Sequence, residues 1–363
     1  MFRLRLNSIL KNWEKKLVSL NEIGVSEKRI LSNYNKYVRM NKGEVWPVLK
    51  GNAYGASIGV MCQILKQLNP RYIVVDSYME ALEVWLYLPH QSVLLIGSNR
   101  IENYRQIDFR KTTLMVQNIE EIEELGGIGK KVKVHLKLNS GMNRQGFDEE
   151  ELEQLAKTTK IFPNIITEGV MSHLAKATDP KVVNIQQDCF IKMVEKLEKD
   201  GLKFEFLHLG ATEGCKTVSN KRISVFRVGL GLYAGAVSWK STIIKVRLVK
   251  KGEGVGYDLS QKMAQDGWVG LIAAGYYEGV DRRLSGEGWV KYNNNYYPII
   301  GRISMNMMSV NFGKIKPRVY DRVEIIEMGA EGKCAVSQMA KDCQTIPYEI
   351  LAKLNPKLKR VII

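Results

Sequence analysis

Short apolar runs recur along the first two-thirds of the chain, ending near Lys50, Asp76, Gly97, Asn118, Asn139, His173, Gly210 and Gly229. Between most of them the apolar positions switch to helical spacing. The clearest such stretch is 182–199, with Gly201 as its stop signal. Eight strands alternating with helices over roughly 230 residues predict an α/β fold, a (β/α)8 TIM barrel. A doubly wound open sheet is the alternative. Beyond Trp239 the texture changes to period-two alternation: 242–251, 268–277, 289–303, 307–312 and 322–328. Gly252, Gly286 and the Asn293–Asn295 cluster punctuate these runs, and helical spacing returns only in the tail. The pattern predicts a barrel domain over 1–238 and a mostly β C-terminal domain over 239–363.

Composition adds exclusions. The 363 residues include 45% hydrophobic ones, enough for real cores. No apolar run approaches the roughly 18 residues that span a bilayer. The basic segment 1–20 interleaves its apolar residues with charge, unlike a signal peptide. A cytoplasmic location without membrane attachment is the expectation. Five scattered cysteines (Cys62, Cys189, Cys215, Cys334 and Cys343) form no C-x-x-C pair and suggest neither zinc nor a disulfide framework. The 54 basic residues less 38 acidic ones leave +16, but the lysines are spread along the chain with no aromatic-interleaved basic run. A lysine-rich surface is expected rather than a specific nucleic-acid site.

Active residues of such a barrel lie at the carboxyl ends of its strands. There stand Lys50, Asn52 and Tyr54; then Lys137, Asn139 and Arg144; His173; His208 with Ala211 and Thr212; and Arg227 with Gly229 and Leu230. On an extended backbone Lys50, Asn52 and Tyr54 would share one face. Paired carboxylates are missing from this set, which argues against a glycosidase. His173 and His208 lack acidic companions in sequence, which argues against a metal. Cations, small residues and backbone amides suit an anionic, phosphate-bearing ligand. A lysine beside such a cradle suggests pyridoxal phosphate, which lysine holds as a Schiff base. Taken alone, His208 and His90 read as structural.

Seven blocks carry a resemblance to one family. Val-Leu-Lys50-Gly-Asn-Ala-Tyr54-Gly is similar to V-K-A-N-A-Y-G, and Leu-Lys137-Leu-Asn-Ser-Gly-Met-Asn-Arg144-Gln-Gly-Phe to K-x-[DN]-[ST]-G-M-x-R-x-G. Arg227-Val-Gly229-Leu230-Gly-Leu-Tyr233 resembles R-P-G-[IL]-x-L-Y, and Gly-Glu-Gly-Val-Gly-Tyr257 resembles G-E-x-V-x-Y. Ala-Gly-Tyr276-Tyr-Glu-Gly-Val-Asp-Arg282, Gly301-Arg302-Ile-Ser-Met305-Asn306 and Thr345-Ile-Pro-Tyr348-Glu-Ile resemble G-Y-x-D-G-x-x-R, G-R-[VI]-x-M-D and [TN]-x-x-Y-E. In this order and spacing they resemble the alanine racemases, pyridoxal-phosphate-dependent enzymes with a barrel and a β-domain.

The resemblance implies a role for each position. Lys50 would carry the cofactor and serve one face of the substrate α-carbon. Tyr257, from the β-domain of a partner subunit, would serve the other, so the unit would be a head-to-tail homodimer with shared sites. His173 backed by Arg227 would support the tyrosine, and Arg227 would also meet the pyridine nitrogen. Arg144 would reach the cofactor's phenolic oxygen and help bind substrate. Tyr54, Thr212, Tyr348 and the amides of Gly229 and Leu230 would hold the phosphate. Met305 would bind the substrate carboxylate through its amide. Tyr276, Arg282 and Arg302 would line the entrance. Lys137 maps to a lysine that many members carry as a carbamate. No metal is implied. The implied activity is interconversion of L- and D-alanine for peptidoglycan.

Departures cluster near these positions. Gly51 replaces alanine, Ala56-Ser57 replaces His-Gly, Ala211-Thr212 stands for Asn-Ser and Val228 for proline. Tyr277-Glu278 stands for Ala-Asp, and Asn306 for aspartate. They leave open a racemase for serine or several amino acids. A barrel decarboxylase or aldolase on the same cofactor, or a cofactor-binding regulatory protein, are the remaining alternatives.

Overall fold

A computed structural model describes residues 18–40 and 43–363. Most of the basic segment read as 1–20 therefore lies outside the described residues. The chain forms two compact units. One comprises Ile30–Tyr54 and Met61–Tyr233; the other comprises the segment ending at Arg29, Gly55–Val60 and Ala234–Ile363.

The first strand in chain order, β1 (Glu22–Val25), belongs to the second unit and is taken up there. The first unit carries eight strands: β2 (Glu44–Pro47), β3 (Ile73–Val75), β4 (Val93–Leu95), β5 (Thr112–Val116), β6 (Val132–Lys137), β7 (Ile165–Met171), β8 (Phe206–His208) and β9 (Val225–Val228). These are the eight runs predicted from sequence. β3 to β8 form a parallel sheet in chain order, and β2 pairs in parallel with β9. The ring closes at both joints. Val48 bridges Val74, and Leu49 N–H donates to the Val74 carbonyl at 2.8 Å. Ser224 N–H donates to Leu207 O at 3.0 Å, and Arg227 N–H to Gly210 O at 3.2 Å. A closed parallel barrel rather than an open sheet is the result.

Side chains fill the barrel, as they must at eight strands. Trp46, Val48, Tyr72, Val74, Leu94, Phe206 and Val225 pack together, with the Trp46 ring 4.7 Å from Tyr72 and 5.1 Å from Phe206. Helices α1 (Glu27–Met40), α2 (Ile58–Leu65) and α3 (Tyr78–Tyr87) follow β1, β2 and β3. α4 (Ile119–Gly127), α5 (Leu152–Ile161) and α6 (Pro180–Lys199) follow β5, β6 and β7. α6 starts where Asp179 accepts from Lys181 N–H ahead of Pro180, and ends before Gly201 at φ 87°. None of the described helices is long and apolar enough to cross a membrane.

In the second unit, β10 (Val237–Val249) pairs successively with β1, β17 (Arg322–Ile326) and β13 (Gly267–Ile272), while β11 (Gly254–Val255) and β12 (Gln261–Lys262) pair only with each other. β14 (Trp289–Tyr292), β15 (Asn295–Ile300) and β16 (Met308–Gly313) complete an antiparallel ring in the order β13-β16-β15-β14-β17-β10. The Asn293–Asn294 turn between β14 and β15 has φ of 49° and 63°, the geometry asparagine tolerates in two-residue hairpins. β1 lies between β10 and β18 (Lys359–Ile362), where Ile23 and Val25 are fully buried. Set against the expected division at 238/239, the structure puts β1 with the β unit, because four residues with two apolar side chains need that sheet edge to bury them. All five cysteines are free.

Candidate active site

Strand β2 delivers Lys50, but not onto an extended backbone. Gly51, Asn52, Ala53 and Tyr54 have φ of 63°, 52°, 54° and 52°, a left-handed turn. The expected face sharing by alternation is therefore corrected: the chain coils, with Ala53 N–H donating to Leu49 O at 2.7 Å. Each left-handed residue with a β-carbon costs roughly 1–2 kcal/mol. Partners outside the turn offset this. One Glu80 carboxylate oxygen accepts from Gly51 N–H at 2.7 Å; the other accepts from Asp76 N–H at 2.9 Å. The Lys50 amine lies 3.8 Å from Asp76.

Lys137 ends β6 and is buried with cations around it. Burial first, then the charges of Arg227, Arg144 and Lys50, pushes its amine well below the usual lysine range. Lys137, Arg144 and His173 line one small pocket with Asn139, Met142 and Ser172. Burial, then Arg227 and the other cations, brings the His173 imidazole down to about 3, so it is neutral near pH 7.

Arg227, on β9, is buried, and burial lowers it to about 10, still charged at neutral pH. It does not bond the His173 ring as the family pattern suggests. It donates to His208 Nδ1 at 2.5 Å, to His208 O at 3.0 Å and to Ser172 O at 2.7 Å. His208, read as structural, is therefore the side chain that holds Arg227. His90 is exposed in the turn after α3.

Gly229 opens a shelf beside these groups. A Cβ there would lie 2.2 Å from the Tyr54 hydroxyl, so only a bare Cα lets that hydroxyl approach. Thr212 Oγ1 accepts from Gly231 N–H at 3.1 Å, and Leu230 starts the short turn Leu230–Tyr233. Tyr54 leans on Tyr233 at 5.0 Å, whose hydroxyl donates to Val48 O at 3.1 Å.

In the β unit, Tyr257, Tyr276, Arg282, Arg302 and Met305 line one cleft of about 940 Å³, together with Asp258, Asp281 and Lys353. Tyr257 is 68% and Met305 54% exposed. Arg302 pairs with Asp258 at 3.0 Å. Backbone bonds tie the walls: Tyr276 N–H to Ser304 O at 3.1 Å and Tyr277 N–H to Met305 O at 2.8 Å. Two departures from the family pattern meet here, because Asn306 Nδ2 donates to the Glu278 carboxylate at 2.8 Å. Tyr348 stands at the start of the helix Pro347–Ala352, half-exposed and outside this cleft. Asp281, held by Arg283 at 2.7 Å and Lys353 at 3.1 Å, is a cleft residue that the sequence reading missed; Asp-Arg-Arg beside a strand end was its only signal.

The chain matches two family descriptions end to end: alanine racemase, N-terminal domain, over residues 25–237, and alanine racemase, C-terminal domain, over 236–362. The chain belongs to the alanine racemase family. It is thereby an amino-acid racemase of the pyridoxal-phosphate-dependent type. The alanine racemase of Helicobacter pylori strain P12 is 28% identical over 96% of this chain and all of that one. That of Francisella tularensis strain FSC 198 is 30% identical over 93% of this chain and 98% of its own length. Two solved alanine racemases share the fold. That of Streptomyces lavendulae has a TM-score of 0.90 at 20% identity, covering 96% of this chain and 98% of that one. That of Bartonella henselae, solved with covalently bound pyridoxal phosphate, has 0.86 at 24%, covering 95% and 100%. The barrel residues fit that kind of group. The bare Cα of Gly229 lets the Tyr54 hydroxyl come close to its backbone, Thr212 accepts from the nearby Gly231 N–H, and Lys50 follows the neighbouring strand β2.

Proposed function

We propose that this racemase interconverts L- and D-alanine, with Lys50 and Tyr257 exchanging the α-proton on opposite faces. The observation that carries the reading is the division of its chemistry. A strand-end lysine and a shelf of hydroxyls at a bare glycine stand on the barrel, and an exposed tyrosine stands in the cleft of the β unit. An exposed Tyr257 suits a site completed by a second copy. The working unit is then a head-to-tail homodimer in the cytoplasm, and D-alanine for peptidoglycan is its product.

When bound, pyridoxal phosphate supplies the electron sink that acidifies the substrate's α-carbon. The chain supplies the rest. Lys50 holds the cofactor and moves a proton at its Nζ. Tyr54, Thr212, Tyr348 and the amides of Gly229 and Leu230 hold the phosphate. Arg227 has donors only, so it holds the ring nitrogen without yielding a proton. Arg144 and the Met305 amide hold the anionic oxygens of cofactor and substrate, and Tyr276 closes the mouth with Arg282 and Arg302. Neutral His173 accepts from the Tyr257 hydroxyl and helps it give up its proton. The buried amine of Lys137, its proton affinity lowered by burial and the neighbouring cations, attacks carbon dioxide as the free base and releases one proton. The resulting carbamate is an anion facing Arg144.

The test is exchange of the α-hydrogen in deuterated water over a panel of L- and D-amino acids. Alanine should exchange fastest from both isomers. Faster exchange of serine, or equal exchange of several, would replace the substrate but keep the reaction. No exchange with any amino acid would end the racemase reading.

A further inference from the structure

The barrel holds a buried polar chain that the proposed proton transfers do not use. Arg227 donates to His208 Nδ1 at 2.5 Å. His208 Nε2 lies 2.6 Å from His135 Nδ1, and His135 Nε2 lies 3.4 Å from Glu168 Oε2. Glu168 accepts further from Tyr72 at 2.5 Å and from Lys133 at 2.6 Å. Both histidines are fully buried, and Glu168 and Arg227 nearly so.

One end of this chain has no choice of direction. Arginine only donates, so His208 Nδ1 must accept and its proton sits on Nε2. That proton points at His135 Nδ1, which must also accept. His135 then carries its proton on Nε2 and aims it at Glu168. A ring that accepts at Nδ1 is neutral, and burial acts in the same direction by pushing His208 and His135 below the usual histidine range. Burial alone would raise the Glu168 carboxyl, but bonds from His135, Lys133 and Tyr72 bring it down to about 2. The other end is thus a fixed anion.

We infer that Glu168 is a positioning residue for Arg227: through His135 and His208 it sets a one-way hydrogen-bond chain that keeps the guanidinium charged and aimed. Its consequence for catalysis rests on the proposed function, but the proton positions do not.

The chain contains four histidines, so ¹⁵N spectra of histidine-labelled protein can resolve each ring. In the wild type, His135 and His208 should both be neutral with the proton on Nε2. An Nδ1 proton or an imidazolium at either ring overturns the inference, and this measurement needs no variant. Glu168→Gln supplies the second arm. Arg227 still only donates, so both rings should keep their protons on Nε2 in E168Q, and what is lost is the anion that accepts from His135. A proton moved to Nδ1 of either ring in E168Q overturns the inference. In the holoenzyme, E168Q should lower kcat by roughly 10-fold and shift the cofactor's visible band. Retained Nε2 protons with kcat and band unmoved would overturn the positioning role while leaving the racemase reading intact.

Discussion

The barrel end and the β cleft use polar groups in opposite ways. In the barrel, Lys137, Arg227, His135 and His208 are buried, and each bond donated by Arg227 ends on a fixed acceptor. In the cleft, the backbone is tied down while Tyr257 and Met305 project into solvent. Burial preorganises charge because it removes the competing water, and it demands that each polar atom be satisfied. An exposed cleft needs no such network, and it gains a low-dielectric surrounding only when another surface covers it. The difference teaches that this molecule prepares its electrostatics in the barrel, and on the proposed mechanism it leaves its second proton-transfer group for assembly.

Four substitutions separate these regimes, beginning with the largest expected effect. Tyr257→Phe should reduce racemisation by about 10²–10⁴-fold, starting with the L isomer. Its stability should stay within about 0.5 kcal/mol of the wild type, as for exposed positions generally. A large drop in the thermal midpoint would mean that the hydroxyl belongs to a packed core instead.

Acid should distinguish the carboxylates of the two regions. The pKa of Glu168 is depressed when folded, so its stabilisation is present above the unfolded pKa and is lost as pH falls from about 5 through about 2. It amounts at most to about 3 kcal/mol, and Glu168→Gln should flatten the acid limb of the unfolding curve by part of that. Arg283, then Lys353, holds the Asp281 carboxyl below its usual range, so its contribution has the same sign. Both partners are half-exposed, and Asp281→Asn should change the same limb by under about 1 kcal/mol, less in high salt. Equal effects from both variants would erase the contrast. They would be read from thermal unfolding between pH 2 and 6.

Gly229→Ala should act on cofactor affinity. The added methyl must displace the Tyr54 hydroxyl, and cofactor affinity should fall about tenfold, near 1.4 kcal/mol, in a titration of the apoenzyme. Unchanged affinity would remove Tyr54 from the phosphate shelf.

All eight barrel strands were legible because each is a short apolar run bounded by polar or glycine residues, and barrel strands are buried on both faces. The Asn293–Asn294 hairpin was legible because its turn chemistry is local. The left-handed turn at 51–54 was not. Alternating Lys50, Asn52 and Tyr54 reads as a strand, and nothing in the identity of Ala53 announces a φ of 54°. β1 was missed because its two apolar side chains gain partners only from β10 and β18, more than 200 residues later. His208 read as core and proved to be both core and the holder of Arg227.

Sequence alone determined the order of the eight barrel strands and the two-part organisation, and motif resemblance singled out Lys50, Lys137, Arg144, Arg227 and Tyr257, because periodicity and motif spacing are properties of neighbours along the chain. Tertiary structure decided the coil at Lys50, the pairing of Asn306 with Glu278 and the line from Glu168 to Arg227. The barrel brings residues from β6, β7, β8 and β9 into one hydrogen-bonded row, and the direction of each bond follows from which atoms can donate once water is excluded.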